Sequence, residues 1–230
     1  GGTGVWNSSN SNWTTVNAGL NEAWNSSFAV FQNTAGVVTV DGAQRVTGLQ
    51  FLTDGYRLQG GTAGELLLVN GTGGSAGIRV GNGLTSTLAV NLGGSGTLAK
   101  YEAGTLLLSG DNRYSGGTRF DAGTLVIGSA SALGSGTLIA QGGTTLDSSG
   151  AFSLANASVL DGDLTLTGRH DLGLDGVISG SGGLIKNGAG ALTLGGANLY
   201  QGRTLLNAGT LRVGSGSALG LSLIHISEPT

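Results

Sequence analysis

The stretch Leu98-Ala99-Lys100-Tyr101-Glu102-Ala103-Gly104-Thr105-Leu106-Leu107-Leu108-Ser109-Gly110-Asp111-Asn112-Arg113-Tyr114, with Ala122-Gly123-Thr124-Leu125 and Ser131-Ala132-Leu133-Gly134 behind it, lies in a segment from Ser95 to Gly134 that is written again from Ser181 to Gly220. In the second writing Gly104, Asn112, Tyr114, Gly123 and Leu125 return as Gly190, Asn198, Tyr200, Gly209 and Leu211. Every match falls at one offset of about 86 residues without a gap, and roughly 23 of 40 positions are identical. Repetition on this scale describes units that stack on one another and share a continuous core.

Inside the repeat a shorter rhythm sets the coil. Gly-Thr-Leu triplets begin at Gly104, Gly123 and Gly136, and the spacing from Gly104 to Gly123 recurs from Gly190 to Gly209, with Ala191 in place of threonine. Apolar residues alternate at Leu106 and Leu108, then at Leu125 and Ile127, the period of a strand with one buried face. Turns of about 20 to 22 residues fit, so one long repeat is expected to make about four of them. The expected fold is all-β: a right-handed parallel β-helix, or β-solenoid, of roughly 9–11 coils of ~20–22 residues each, with glycine and asparagine at the corners.

Composition agrees. Glycine at 47 of 230 residues argues against helix, since each interior glycine costs a helix about 1 kcal/mol relative to alanine. A disordered Gly/Ser linker is opposed by a hydrophobic content of 39% and a mean hydropathy of +0.18. Charged residues make up 10% and the net charge is -3, so no basic footprint for nucleic acid or anionic lipid is present. No apolar run is long enough to cross a bilayer as a helix. Cysteine is absent, which excludes disulfide frameworks and thiolate metal sites and removes any staple that would block passage of an unfolded chain through a narrow pore. The chain opens at Gly1 without methionine or leader and reads as a fragment of a longer precursor.

Four segments follow: N-terminal coils with a Trp-rich start over 1–92, a first long repeat over 93–178, a second and truncated one over 179–220, and a tail over 221–230. Trp6, Trp13 and Trp24 all lie near the start. A carbohydrate-stacking platform is one reading of them, and capping or filling of the first rungs is the commoner role for clustered large aromatics. The tail Leu221 to Thr230 contains the only proline. It resembles translated sequencing-adapter DNA and is set aside as non-native.

Residues able to do chemistry are few. His170 is the only histidine outside the tail, with Arg169 and Asp171 beside it. Gly73-Gly74-Ser75-Ala76-Gly77 has the outline of a nucleophile elbow without the helix that should follow. Asp161, Asp163, Asp171 and Asp175 form the densest acidic cluster. They read as solvated corner residues, or alternatively, with Arg169, as the acid and base groups of a polysaccharide-active β-helix enzyme. Calcium-loop spacing is missing. Asn112 and Asn198, with Tyr114 and Tyr200, recur in both copies, and recurrence favours structure, because a catalytic residue is needed once and a corner residue in every unit. Lys100 and Lys186 share one repeat position and are expected to point outward as charges that discourage edge pairing. Asn7, Asn12, Asn25, Asn70 and Asn156 begin Asn-x-Ser/Thr triplets of the kind this composition produces freely.

The run Ser181-Gly182-Gly183-Leu184-Ile185-Lys186-Asn187-Gly188-Ala189-Gly190-Ala191-Leu192-Thr193-Leu194, followed by Asn198-Leu199-Tyr200, Asn207-Ala208-Gly209-Thr210-Leu211 and Ser217-Ala218-Leu219-Gly220, resembles the passenger-associated transport repeat of bacterial autotransporters. The first copy departs at Tyr101-Glu102 and the second at Gln201-Gly202-Arg203. The N-terminal coils, from Gly4-Val5-Trp6 to Asp54-Gly55-Tyr56, resemble the autotransporter strand-repeat family. The resemblance implies a secreted passenger at the surface of a Gram-negative bacterium: a structural stalk, without catalysis or cofactor, that supports translocation, display or adhesion. The implied partner is a C-terminal outer-membrane β-barrel translocator of the same precursor, with a host surface or glycan as a further one. A monomer is expected, and no nucleic acid.

Overall fold

Alternating apolar residues form strands of two to five residues, and corners rich in glycine turn each strand into the next. In the computed structural model, which describes residues 2–11, 13–14, 21–221 and 224–226, almost every strand lies parallel to one about a coil away. The chain winds as a parallel β-solenoid of about ten turns, and no helix occurs among the described residues. One antiparallel pair, Trp13–Thr14 with Asn21–Glu22, sits at the N-terminal end.

Three faces enclose one core. Sheet I runs the whole length with eleven strands, from Gly4–Trp6 through Val37–Val40, Tyr56–Gly60, Thr85–Ala89, Thr105–Leu108, Thr124–Ile127, Thr144–Ser148, Leu164–Leu166, Leu184–Lys186 and Thr204–Leu206 to Ile224–Ile226. Sheet II has eight: Phe28–Phe31, Gly48–Phe51, Ala76–Val80, Leu98–Tyr101, Thr118–Phe120, Leu138–Ala140, Ser158–Leu160 and Ile178–Gly180. The third face is broken. Sheet IIIa holds Ala43–Val46, Glu65–Leu68 and Asn91–Gly93, and sheet IIIb holds Phe152–Leu154, Leu172–Leu174, Ala191–Leu194 and Thr210–Val213.

Register is kept by inward side chains, mostly leucine, that stack in columns from coil to coil. In sheet I, Leu106 lies over Ser86 and under Leu125, which lies under Leu146, while Leu88, Leu108 and Ile127 form the companion column. These leucines and isoleucines are fully buried. A slip by one residue would turn both columns to solvent, so the leucine pattern holds each coil in place.

The N-terminal end is filled by aromatics. Trp6 is 1% exposed, with the Trp13 and Trp24 rings each 4.8 Å from it. Phe31 continues the packing inward, stacking at 5.0 Å on Phe51, which meets Tyr56. The tryptophans therefore cap the first rungs, and Trp24 spends its indole N–H on the Arg45 carbonyl.

The long repeat is not a whole number of coils. Side chains bridge coils at a separation of 20 residues, so an offset of about 86 residues is about four and a third turns. On a three-faced solenoid the extra third moves each element of the second copy to the next face. Leu98–Tyr101 and Thr118–Phe120 lie in sheet II, whereas their counterparts Leu184–Lys186 and Thr204–Leu206 lie in sheet I. Thr105–Leu108 and Thr124–Ile127 lie in sheet I, and their counterparts Ala191–Leu194 and Thr210–Val213 in sheet IIIb. The expected four turns are corrected to this rotated arrangement. Ile224–Ile226, inside the tail set aside above, pair in parallel with Thr204–Leu206, as a β-prone tripeptide reaching an open sheet edge does.

Candidate functional site

The residues written twice build the same assembly twice. In the first copy the chain leaves sheet I after Leu108 and crosses the third face without forming a strand. Asn112 is buried there. Its Oδ1 accepts a hydrogen bond from the Leu92 N–H at 2.9 Å, and its Nδ2 donates to the Ala132 carbonyl at 2.7 Å. Leu92 belongs to Asn91–Gly93, the last strand of sheet IIIa. The amide therefore stands where the next strand would pair, meeting the donor below and the acceptor above with one side chain. The Leu92 carbonyl accepts from the Arg113 and Tyr114 N–H groups at 2.7 and 3.2 Å.

The second copy repeats each bond on another face. Asn198 Oδ1 accepts from the Ile178 N–H at 2.8 Å, and its Nδ2 donates to the Ala218 carbonyl at 2.6 Å. Ile178 opens Ile178–Gly180, the last strand of sheet II. Each copy thus ends one sheet while its neighbours continue.

Tyr114 and Tyr200 fill the core beneath these crossings, both fully buried. Their hydroxyls pair with Thr118 and Thr204 Oγ1 at 2.5 and 2.6 Å. Burial raises the Tyr114 pKa above the usual tyrosine range, against the smaller opposing effect of the Thr118 bond. One coil on, Gly134 and Gly220 turn with φ of 59° and pack against the Tyr114 and Tyr200 carbonyls. Ser129 and Ser215 Oγ close the same corners on the Gly110 and Gly196 carbonyls at 2.8 and 2.9 Å.

The lysines overturn an expectation. Lys100 is 0% and Lys186 4% exposed, and both point inward. The Lys100 ammonium donates to the carbonyls of Tyr101 at 2.9 Å, Glu102 at 2.7 Å and Ala122 at 3.1 Å. Lys186 donates likewise to Gly188 and Ala208. Burial lowers the Lys100 pKa to about 8, with the Glu102 carboxylate pulling the other way, and it lowers that of Lys186, opposed by Asp171. Strict alternation carried the signal: Lys100 is two residues from inward Leu98 and Lys186 two from inward Leu184. The ammonium ties together a corner that turns again at Gly123 and Gly209, with φ of 79° and 75°. Gly104 and Gly190 are needed for closeness, because a Cβ on either would strike backbone carbonyls of the coil below. Leu125 is buried, and Leu211, near the end of the stack, is only partly so.

The acidic residues are dispersed. Asp161 accepts from the Gln141 side chain and Asp163 from the Gly183 N–H, at the corner beside Leu164–Leu166. Asp171 accepts from the Ala191 N–H and pairs with Arg212 at 2.8 Å, which together hold its carboxyl below the usual range. Asp175 accepts from Ser153. Asp161 and Asp163 brace one corner, before Leu164–Leu166, and Asp171 and Asp175 brace the corners on either side of Leu172–Leu174. His170 and Arg169 are exposed in the turn before Leu172–Leu174, and Ser75 is followed by strand Ala76–Val80. Among the described residues no three His, Cys, Asp or Glu side chains are grouped to hold a metal ion. Asn70 and Asn156 brace corners through Thr97, Gly134 and Gly136, and Asn7 closes a local turn onto Ser9 and Asn10. Asn25 is exposed, and Asn12 lies outside the described residues.

Fold and site define a β-solenoid whose long repeat ends one sheet at a time. The passenger-associated-transport-repeat family matches residues 98–127 and 184–213, the two segments that carry the buried lysine, asparagine and tyrosine. The chain is also similar to the Adhesin BmaC autotransporter of Brucella suis biovar 1 (strain 1330), 39% identical over 136 residues, covering 51% of this chain and 4% of that protein. No solved structure matches it. The chain thus carries two passenger-associated transport repeats on a parallel β-solenoid, and over about half of its length it is similar to a short stretch of an autotransporter adhesin.

Proposed function

We propose that the two repeats work as sheet terminators during export, within a passenger stalk that is structural and not enzymatic. A passenger that emerges unfolded through a translocator gains its structure coil by coil, and each coil closes a short loop on the one before. A sheet edge left open on the growing end invites wrong pairing. The Asn-x-Tyr crossing satisfies the last strand of one sheet while the other two faces propagate. Bonding of Asn112 to Leu92 and Ala132, matched by that of Asn198 to Ile178 and Ala218 on a different face, is the observation that carries this reading. In the whole precursor the partner is a C-terminal outer-membrane barrel. A role in adhesion is proposed for the complete passenger, by extension from the name of the Brucella relative.

The test uses the full-length passenger, with Asn112→Leu and Asn198→Leu combined and surface display measured by protease accessibility on intact cells. A loss of display is expected, with material held back in the periplasm. Leu68→Ala, a buried substitution in sheet IIIa chosen to match the loss of stability, should display better than the double variant. Equal display of double variant and parent, or equal retention of the Leu68→Ala control, would refute the proposal.

A further inference from the structure

The sequence holds three Asn-Gly pairs, Asn70-Gly71, Asn82-Gly83 and Asn187-Gly188. In such a pair the glycine nitrogen, with no Cβ beside it, can approach the asparagine side chain closely. All three asparagines are exposed, so what separates them is how the backbone is held. The Gly71 N–H donates to the Ser75 carbonyl at 3.0 Å, and Asn70 Oδ1 accepts from the Thr97 N–H at 2.8 Å. The Gly188 N–H donates to the Leu166 carbonyl at 3.2 Å, and Asn187 Oδ1 accepts from Asn207 Nδ2 at 2.7 Å.

Asn82 and Gly83 are held by neither kind of bond. They form the tip of the corner between Ala76–Val80 of sheet II and Thr85–Ala89 of sheet I, closed by the Leu84 N–H on the Gly81 carbonyl at 3.0 Å. Among the described residues the peptide joining them makes no hydrogen bond at its N–H or its carbonyl, and neither does the Asn82 side chain. Gly83 turns with φ of 74°, and a Cβ placed on it would meet nothing within 4 Å. That peptide plane therefore rotates without breaking a bond to another coil.

We infer that Asn82 is a site of spontaneous deamidation in the folded chain, and that the coils spare Asn70 and Asn187. The Gly83 nitrogen gives its proton to hydroxide and attacks Asn82 Cγ. The new N–Cγ bond replaces the Cγ–Nδ2 bond, and Nδ2 takes up a proton and leaves as ammonia. One water then opens the resulting succinimide at either carbonyl, giving aspartate or isoaspartate, with no change of oxidation state. The attack needs the 82–83 peptide to swing toward the side chain, which nothing at this corner prevents. At Asn70 and Asn187 two hydrogen bonds must open first, so both should react about tenfold more slowly or slower still. Either product puts a carboxylate at the corner, and isoaspartate also routes the chain through Cγ, adding one carbon to the backbone between sheets II and I. The mark accumulates with the age of the folded chain. It is independent of the sheet-terminating role, since arginine follows Asn112 and leucine follows Asn198.

The test is to age the whole chain in mildly alkaline buffer, with circular dichroism following the fold, and to digest samples with trypsin for mass spectrometry. Cleavage after Arg57, Arg79, Lys100, Lys186 and Arg203 puts the three pairs on separate peptides, and a sample digested at once gives the background. The Asn82 peptide should gain the mass of an amide-to-acid exchange, at a rate that rises with hydroxide, while the Asn70 and Asn187 peptides lag about tenfold or more. Part of the product should be isoaspartate, which an isoaspartyl methyltransferase labels. In concentrated urea, where the coils are gone, the three rates should draw together. The assignment is overturned if Asn82 keeps its amide in the folded chain as long as Asn70 and Asn187 do. Persistence of the same order in urea would also overturn it, by placing the cause in the sequence and not in the coils, and so would a product that is aspartate alone, because the succinimide opens both ways.

Discussion

Replacing Asn112 by aspartate changes one side-chain atom group and reverses the sense of one buried hydrogen bond. In the parent, the amide accepts from Leu92 and donates to the Ala132 carbonyl. An ionised aspartate still accepts from Leu92, but its second oxygen opposes the Ala132 carbonyl, and a charge is left without a partner in the core. That arrangement should cost about 3 kcal/mol at neutral pH. A protonated aspartic acid can donate to Ala132 and restore the bond. A cost of about 3 kcal/mol corresponds to about two pH units, so the pKa of the new carboxyl should rise from about 4 in the unfolded chain to about 6 in the folded one. A group with a raised folded pKa has its stabilising bond fully in place below the unfolded value and loses it as pH climbs through the folded one. The variant should therefore approach the parent at pH 4 and fall behind it between pH 4 and pH 6. Urea unfolding of both proteins at each pH measures the difference, and hydrogen exchange at the Leu92 amide localises it. Asn112→Leu is the control, since it orphans a buried N–H and a buried carbonyl at any pH, with an expected loss of about 2–4 kcal/mol. A deficit in Asn112→Asp that is the same at pH 4 and pH 7 would refute the assigned bonding. So would exchange that quickens equally at Ile178, which the second copy protects.

Other consequences follow from the same geometry. The Lys100 pKa, lowered to about 8 by burial, lies below its unfolded value, so the folded state gives up the proton first and stability should rise as pH climbs above about 8. Buried Tyr114 shifts upward, and stability should fall again above about pH 10, where unfolded tyrosine ionises. A thermal melting series should show the maximum between, and Lys100→Met should flatten the rising limb. Tyr114→Phe should cost about 1–2 kcal/mol by orphaning the buried Thr118 hydroxyl, and adding Thr118→Val should recover part of it in a double-mutant cycle. Gly104→Ala should cost more than about 2 kcal/mol although its backbone is unstrained, because the added carbon meets the carbonyls of Val80 and Gly81. Denaturant unfolding reads both.

Local pattern decided most of the fold. Period-two leucines, glycine corners and one ungapped repeat are properties of neighbouring residues, and stacked coils make every long-range contact a copy of a local one. For the same reason Trp6 and its neighbours could be read as rung fillers. Lys100 and Lys186 were legible too, since alternation set them on the inward face of their strands. Charge spoke against that reading, because the carbonyls that solvate each ammonium come partly from the coil beyond, about 22 residues on in the chain.

Which residues stack was written in the sequence, and how far each coil turns was not. A one-dimensional repeat has an offset but no angle. The angle appears only when a coil of about 20 residues closes on three faces and the offset of about 86 leaves a third of a turn over. That remainder sends Asn112 to the end of sheet IIIa and Asn198 to the end of sheet II. Residue type supplied a side chain able to replace a strand, and winding about the axis decided which sheet each copy would end. The same winding spread Asp161 and Asp163, Asp171, and Asp175, close in sequence, over three separate corners.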